Sequence, residues 1–160
     1  MLDMLRKRQE NEEGFTLIEL MVVVLIIAIL LAIAIPTFLG ARDRANDRAA
    51  QSSLRNGLTA AKTLFTDNQD YTTATSASLQ VIEPSISFVA TGVASTDFKM
   101  VSVDPVSATS WVASAKSKSG TCFTIRDNTI SGATGGTMYA SDAATCDGTN
   151  GAAATFSSKW

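Results

Sequence analysis

The sequence predicts an α+β fold in which one long N-terminal helix packs on a small antiparallel β-sheet. Three observations support this. No charged side chain lies between Leu20 and Ala41, and nearly every residue there is apolar. Apolar residues then recur at steps of three and four up to about Thr66, which is the period of one helix face. After Asp70 this period is lost, and short runs that alternate apolar and polar residues follow.

The composition argues against several classes of function. The chain has 160 residues, enough for one ordinary domain, and a net charge of −2, so nothing in its overall charge indicates nucleic-acid binding. It contains no histidine, which removes the commonest general base and the commonest metal ligand together. The Ser and Asp residues after residue 70 show no catalytic spacing. We therefore expect no enzyme, no cofactor and no metal site.

The apolar run follows a charged segment, MLDMLRKRQENEEG. Two ordinary interpretations of the apolar run are a secretory signal peptide and a simple membrane anchor. A secretory signal peptide fits poorly, because the run exceeds the 7–15 residues of a signal core and no A-x-A-like site follows it. A simple membrane anchor explains the length, since about 20 apolar residues span a bilayer. It does not explain Glu19, because an acid inside a span needs a partner. No Lys or Arg lies within the next helical turns, so we expect this partner to come from elsewhere.

The residues around Glu19 form a recognisable pattern. Gly14-Phe15-Thr16-Leu17-Ile18-Glu19, followed by a long apolar run that contains Pro36, strongly resembles the N-terminus of type IV pilins (the type IVa-like prepilins). The pseudopilins of type II secretion and the minor pilins share this motif. The close similarity covers roughly Arg6 to Arg44, and the remainder resembles the family in layout alone.

The resemblance implies a specific maturation. A membrane-embedded prepilin peptidase would cut between Gly14 and Phe15 and would N-methylate the new amino terminus of Phe15. Glu19 would then meet the Phe15 ammonium of a neighbouring subunit and set the axial register of a helical homo-oligomer. The implied domains are a leader peptide at 1–14, a transmembrane and polymerisation helix at 15–40, its amphipathic half at 41–67, and a globular head at 68–160.

Two helix breakers lie in the apolar helix. Pro36 removes a backbone donor and is expected to kink the helix. Gly40 weakens the next turn by about 1 kcal/mol relative to Ala. One interpretation is a harmless kink, which membrane helices tolerate. The other, which the resemblance favours, is a segment that bends or melts when subunits assemble.

Short β-prone runs follow an irregular connection that begins at Tyr71. We expect Asp104-Pro105 to close one strand and Asp127-Asn128 to form a turn. The sheet residues expected to face the helix are Phe98, Met100 or Val101, Trp111 or Val112, and Phe123 with Ile125. The predicted strands are Leu79–Ile82, Ile86–Ala90, Phe98–Val103, Ser110–Lys116, Cys122–Arg126 and Thr137–Ala140.

The chain has two cysteines, Cys122 and Cys146. An even number in a domain outside the cytoplasm favours a disulfide. It would tie the predicted strand that begins at Cys122 to the Gly-, Ser- and Thr-rich tail that contains Cys146. Two free thiols and a redox pair are the alternatives, although the spacing is not C-x-x-C. For Trp160, two roles stay open, namely packing on the sheet and adhesion.

The resemblance makes a structural subunit, the major pilin of a type IV pilus, the first hypothesis. A minor pilin or a type II secretion pseudopilin is the close alternative, and a membrane-anchored enzyme or binding protein is the distant one. The expected location is the inner membrane for a single-pass precursor and the cell surface for the extracellular pilus. The expected partners are other copies of the chain, the peptidase and the pilus assembly machinery.

Overall fold

The computed structural model describes residues 15–132, 135–141 and 145–160. The chain divides into two compact units, a first unit at Met1–Ala41 and a second unit at Arg42–Trp160. The predicted α+β class with its long N-terminal helix is confirmed. The elements are helix α1 (Leu17–Asn68), a 3-10 turn (Tyr71–Thr73), helix α2 (Ser76–Ile82), strands β1 (Ser87–Val89), β2 (Met100–Ser107), β3 (Ser110–Lys116), β4 (Cys122–Asn128) and β5 (Gly136–Ser141), and helix α3 (Gly148–Ala152).

The part of α1 in the second unit buries one face, as its period of three and four predicts. Small residues on this face let the sheet approach closely. A methyl group at Gly57 would lie 3.2 Å from the Phe88 ring and 3.8 Å from the Trp111 ring. Glycine at position 57 therefore lets these two rings pack against the helix backbone. The buried residues of α1 are Ala50, Ser53, Leu54, Gly57, Leu58, Ala60 and Ala61.

The five strands follow one another in sequence order across a single sheet. Strands β2 to β5 are antiparallel neighbours. The predicted antiparallel sheet is confirmed for these strands, and at one edge β1 runs parallel to β2, with Phe88 opposite Val101. Residues 90–99 join the two strands. This connection carries the chain back to the end of the sheet at which β1 begins, as a parallel pair requires, whereas a short hairpin would give an antiparallel pair.

The predicted strand at Leu79–Ile82 is a helix, α2. The Thr75 side chain caps its start by accepting a hydrogen bond from the Ser78 amide. The Gln80 side chain donates to the Ile86 carbonyl at 2.8 Å and accepts from the Phe88 amide at 3.0 Å, so it occupies the open edge of β1. A short apolar run fits a helix or a strand equally well by period alone, which explains the error.

Two predicted strand ends were also wrong. β2 continues through Pro105, which lies where the pairing register with β3 shifts between Asp104 and Ser107. A proline is tolerated in such a bulge because its missing N–H is not required there. β4 continues through Asp127 and Asn128, which pair with Thr137 and Gly136 of β5 rather than forming a turn.

One face of the sheet packs on α1 and carries the large apolar side chains of the core. The alternation of each strand decides which of the predicted residues lie on it. Val101, rather than Met100, and Trp111, rather than Val112, belong to this core. Phe123 and Ile125 also belong to it, as predicted, and Phe98 packs against its margin.

The other face of the sheet is built from small residues. Ser102, Ser114 and Thr124 lie opposite one another in neighbouring strands and are almost fully buried. The tail covers them. The Gly148 amide donates to the Ser102 hydroxyl at 3.0 Å, and a methyl group at Gly151 would lie 2.5 Å from the Ser114 hydroxyl oxygen. This close approach requires glycine on the tail and short side chains on the sheet.

The predicted disulfide joins Cys122 to Cys146, with a Cα–Cα distance of 5.5 Å. It leaves no free cysteine in the part of the chain that the structure describes. The Cys146 carbonyl also accepts a hydrogen bond from the Ser95 amide at 2.6 Å. The disulfide and this hydrogen bond therefore hold the start of the tail beside the row of small residues that the tail covers.

A buried carboxylate links α1 to the sheet. Asp127 is 4% exposed and accepts hydrogen bonds from Tyr71 at 2.6 Å and from Thr137 at 2.6 Å. Lys62 of α1 forms an ion pair with it at 2.9 Å. Burial acts to raise the pKa of Asp127, yet the hydrogen bonds that it accepts and the charge of Lys62 lower this pKa below its ordinary value. Burial, with the contact to Asp127, raises the pKa of Tyr71, so its hydroxyl remains a donor.

The first prediction concerns the tail. Gly148→Ala should destabilise the fold by about 1–3 kcal/mol, because the added methyl would meet backbone atoms. It would lie 2.8 Å from the Asp104 nitrogen and 2.9 Å from the Val103 carbonyl carbon. Thermal unfolding of the full chain in detergent measures the effect. Thr149→Ala, an exposed neighbour in α3, is the matched control, and equal melting temperatures for the two variants would contradict the close packing.

The second prediction concerns pH. Because the folded-state pKa of Asp127 lies below the ordinary value of about 4, its carboxylate stabilises the fold above that pH. This contribution is lost as the pH falls through the folded-state pKa. Asp127→Asn should lower stability by about 1–3 kcal/mol at pH 7 and flatten the fall in melting temperature between about pH 5 and pH 2. An unchanged pH profile in the variant would refute this role.

Candidate assembly site at the start of the first helix

The first unit exposes an unusually apolar helical surface. Every Phe, Leu, Ile, Val and Met side chain from Phe15 to Leu39 is exposed. Within the described residues, α1 is the one helix that is long and apolar enough to cross a membrane, judged by length and composition. Apolar surface of this extent is normally covered by lipid or by a partner.

The helix begins with a reciprocal cap made by Thr16 and Glu19. The Thr16 amide and the Thr16 hydroxyl donate to Oε2 of Glu19 at 2.9 Å and 2.8 Å. In return the Glu19 amide donates to the Thr16 hydroxyl oxygen at 3.3 Å. This arrangement is a capping box, in which the capping residue and the third helical residue satisfy each other's amides.

The capping box is a feature that the sequence reasoning missed. The sequence places no cation in the helical turns after Glu19. It does contain the T-x-x-E spacing ahead of an apolar run, which is the sequence signal for a capping box. Both bonds from Thr16 fall on Oε2, and Oε1 has no hydrogen-bond partner within residues 15–132, 135–141 and 145–160. Within the described residues, Glu19 therefore keeps one carboxylate oxygen that the cap does not use.

Phe15 lies just before the capping residue, outside the helix, and is 84% exposed. Its backbone nitrogen is four residues from Glu19 in sequence. Gly14, the other residue of the predicted cleavage site, lies outside the described residues. The structure therefore brings Thr16 and Glu19 together and leaves Phe15 accessible beside them.

Pro36 lies inside α1, and the helix is continuous through it and through Gly40. The Thr37 hydroxyl donates to the carbonyls of Ala34 at 2.9 Å and Ile33 at 3.2 Å, in the turn where proline disturbs the backbone ladder. Side-chain hydroxyls commonly satisfy carbonyls at such points in membrane helices. A kink or melting at Pro36 and Gly40 stays a prediction.

A family motif of known proteins matches the residues around the start of α1. Residues 11–35 match the family model described as the prokaryotic N-terminal methylation motif. Part of the chain is also similar to two type IV pilins. It is 44% identical over 62 residues to the type IV wide pilus major component PilA4 of Thermus thermophilus. It is 48% identical over 61 residues to the type IV major pilin protein PilA of Myxococcus xanthus.

These similarities to type IV pilins cover part of each protein. The matches span 39% and 38% of the chain. They span 47% of PilA4, about half of its length, and 28% of PilA. No solved structure shows significant similarity to the chain. The two similarities therefore concern segments of 62 and 61 residues rather than the whole of either relative.

The third prediction tests the cap. Thr16→Ala should remove both side-chain bonds of the hydroxyl, and loss of such a cap costs about 1 kcal/mol. Amide hydrogen exchange of Glu19, measured by NMR on the full chain in micelles, should quicken by about fivefold. Thr16→Ser should restore slow exchange, and Thr37→Ala should leave the first turn unchanged. Exchange in Thr16→Ala at the unaltered rate would exclude the cap.

Proposed function

We propose that this chain is a structural subunit of a type IV pilus and that it polymerises through the first half of α1. One observation carries the proposal. An exposed apolar helix long enough to span a membrane begins at a capped Glu19, inside a match to the N-terminal methylation motif. A spanning anchor alone would use Glu19 to cap its first turn, whereas a polymerising helix also supplies a partner for its charge.

The maturation that we propose supplies the partner of Glu19. Hydrolysis of the peptide bond between Gly14 and Phe15 converts an amide nitrogen into an ammonium group. Methylation of that nitrogen by the same peptidase, with a methyl donor, retains the positive charge. The Phe15 ammonium of a neighbouring subunit then meets Oε1 of Glu19, the oxygen that the cap does not use.

The energetic role of this contact is register rather than bulk stability. Opposite charges attract more strongly in a filament core of low dielectric than in water. A carboxylate left unpaired there is costly, so a misplaced subunit is penalised. Apolar packing along the helix supplies most of the favourable free energy. Glu19 thus selects one axial position among many that the apolar surface would accept.

We further propose the role of major pilin. The two relatives are described as a major component and a major pilin, which supports this choice over a minor pilin or a pseudopilin. The subunit has a structural rather than a catalytic role. It resides in the inner membrane as a single-pass precursor, where it meets the peptidase and the assembly machinery, and then in a homo-oligomeric filament at the cell surface.

The test is N-terminal sequencing of filaments sheared from the cell surface, with imaging of the same material. We expect filaments whose main protein begins at methylated Phe15. A mature protein that begins beyond Pro36 would overturn the proposal. A correctly processed chain present in trace amounts beside another abundant pilin would assign it to the minor pilins instead.

The fourth prediction separates the two roles of Glu19. Glu19→Ala should leave the chain inserted and processed but should sharply reduce sheared filaments, because both cap and charge are lost. Glu19→Gln is the matched control, since glutamine also serves in a capping box but carries no charge. We expect Glu19→Gln to keep slow amide exchange and still to assemble poorly. Normal filament yield from Glu19→Gln would show that the charge is dispensable.

A further inference from the structure

The second unit contains a cationic pocket between α1 and the last residues of the sequence. Its volume is about 310 Å³. It lies at the edge of the sheet, where Ser157 pairs with Tyr139 of β5 through two backbone hydrogen bonds of 2.8 Å. The lining residues are Gln51, Arg55, Tyr139, Ser158, Lys159 and Trp160. We call this the Arg55 pocket.

The lining of the Arg55 pocket is suited to an anion. Two of its side chains are cations, the others offer amide or hydroxyl groups or an aromatic ring, and no carboxylate side chain contributes to it. Among the side chains that the structure describes, neither Arg55 nor Lys159 forms an ion pair. A guanidinium with free N–H groups is a bidentate donor that matches a carboxylate.

The aromatic side of the pocket holds the guanidinium in place. The Arg55 guanidinium carbon lies 5.0 Å from the centroid of the Trp160 ring, in a cation–π contact. Trp160 is itself anchored, because its indole N–H donates to the carbonyls of Ala140 at 3.0 Å and Thr124 at 3.3 Å. The Tyr139 ring packs on it at 4.5 Å. Trp160 therefore packs on the sheet, and a preordered Arg55 loses little entropy when it binds.

The charge balance of the second unit allows copies of it to lie close enough to supply the anion to one another. The sequence after Ala41 carries ten Lys or Arg and ten Asp or Glu side chains. A unit without net charge does not repel copies of itself, so such units pack closely without a long-range penalty. In that setting each copy presents carboxylates to its neighbours at high local concentration.

We propose that the Arg55 pocket binds a carboxylate side chain from the second unit of a neighbouring copy of this chain, as a contact between subunits. The inference rests on the proposed function, since it requires a filament of this chain. It adds a site distinct from the helix start, with Arg55 as the bidentate donor and Lys159 as the supporting cation. Asp127 and Asp147 are buried, which leaves eight of the ten acids of the second unit as candidates, namely Asp43, Asp47, Asp67, Asp70, Glu83, Asp97, Asp104 and Asp142.

The experiment measures sheared filaments from cells that carry the full chain with Arg55→Asp. The yield should fall by about tenfold, since reversal of an interface charge turns attraction into repulsion. Lys118→Asp is the matched control, because Lys118 is also a cation over an aromatic ring, 5.0 Å from the Phe98 centroid, but lies outside the pocket. Its filament yield should stay near that of the wild type.

Folding and pairing need separate readouts. Thermal unfolding of each full-length variant in detergent checks that the second unit still folds. In the Arg55→Asp background, each of the eight candidate acids is then changed to Lys, and one of these second changes should restore filaments. A destabilised Arg55→Asp chain is replaced by Arg55→Gln, which should show a smaller loss that no change at Lys118 reproduces.

The outcomes distinguish the two proposals. Wild-type filaments together with normal filaments from Arg55→Asp would overturn the pocket contact and leave the proposed function intact. Equal losses from Arg55→Asp and Lys118→Asp, or a loss that none of the eight acid changes restores, would also overturn it. A wild-type chain that forms no filament would overturn the proposed function and the contact with it.

Discussion

The need to cover the apolar first half of α1 constrains the rest of this molecule. From Phe15 to Leu39 the helix exposes its large apolar side chains in every direction around its axis. A helix apolar on all sides is at home in a bilayer or inside an assembly. In the function that we propose, lipid covers this surface first and other helices cover it later. Lipid tails are as apolar as leucine, so the exchange depends on packing and on the few polar groups present.

Glu19 is the polar group that makes this exchange selective. Its hydrogen bonds with Thr16 lower the cost of holding a carboxylate at the start of an apolar helix. The same bonds use Oε2 of Glu19 and leave Oε1 for the donor that we propose, the Phe15 ammonium of a neighbouring subunit. A capping role and an assembly role are therefore compatible at one side chain, because the two roles use different oxygen atoms.

The second unit solves a different problem, since its thin sheet must be covered on both faces. On one face large side chains such as Trp111 meet small residues of α1, and Gly57 permits the closest approach. On the other face short side chains meet the glycines of the tail, which the disulfide holds near them. Asp127 links α1 to the sheet through Lys62, so the helix is tied to the sheet by a charge as well as by packing.

The sequence by itself determined the features that local period and spacing encode. These include α1, expected at about Phe15 to Thr66 and observed at Leu17–Asn68, and the strand Ser110–Lys116. It also contained the T-x-x-E spacing of the cap at Thr16, although the search for a cation obscured it. Tertiary structure decided the rest. Asp127 looks like a turn residue locally, but Tyr71, 56 residues away in sequence, and Lys62 hold it in a strand. Contacts between distant residues leave no periodic trace, so the pairing of β1, the cover over the small-residue face and the Arg55 pocket emerge once the chain has folded.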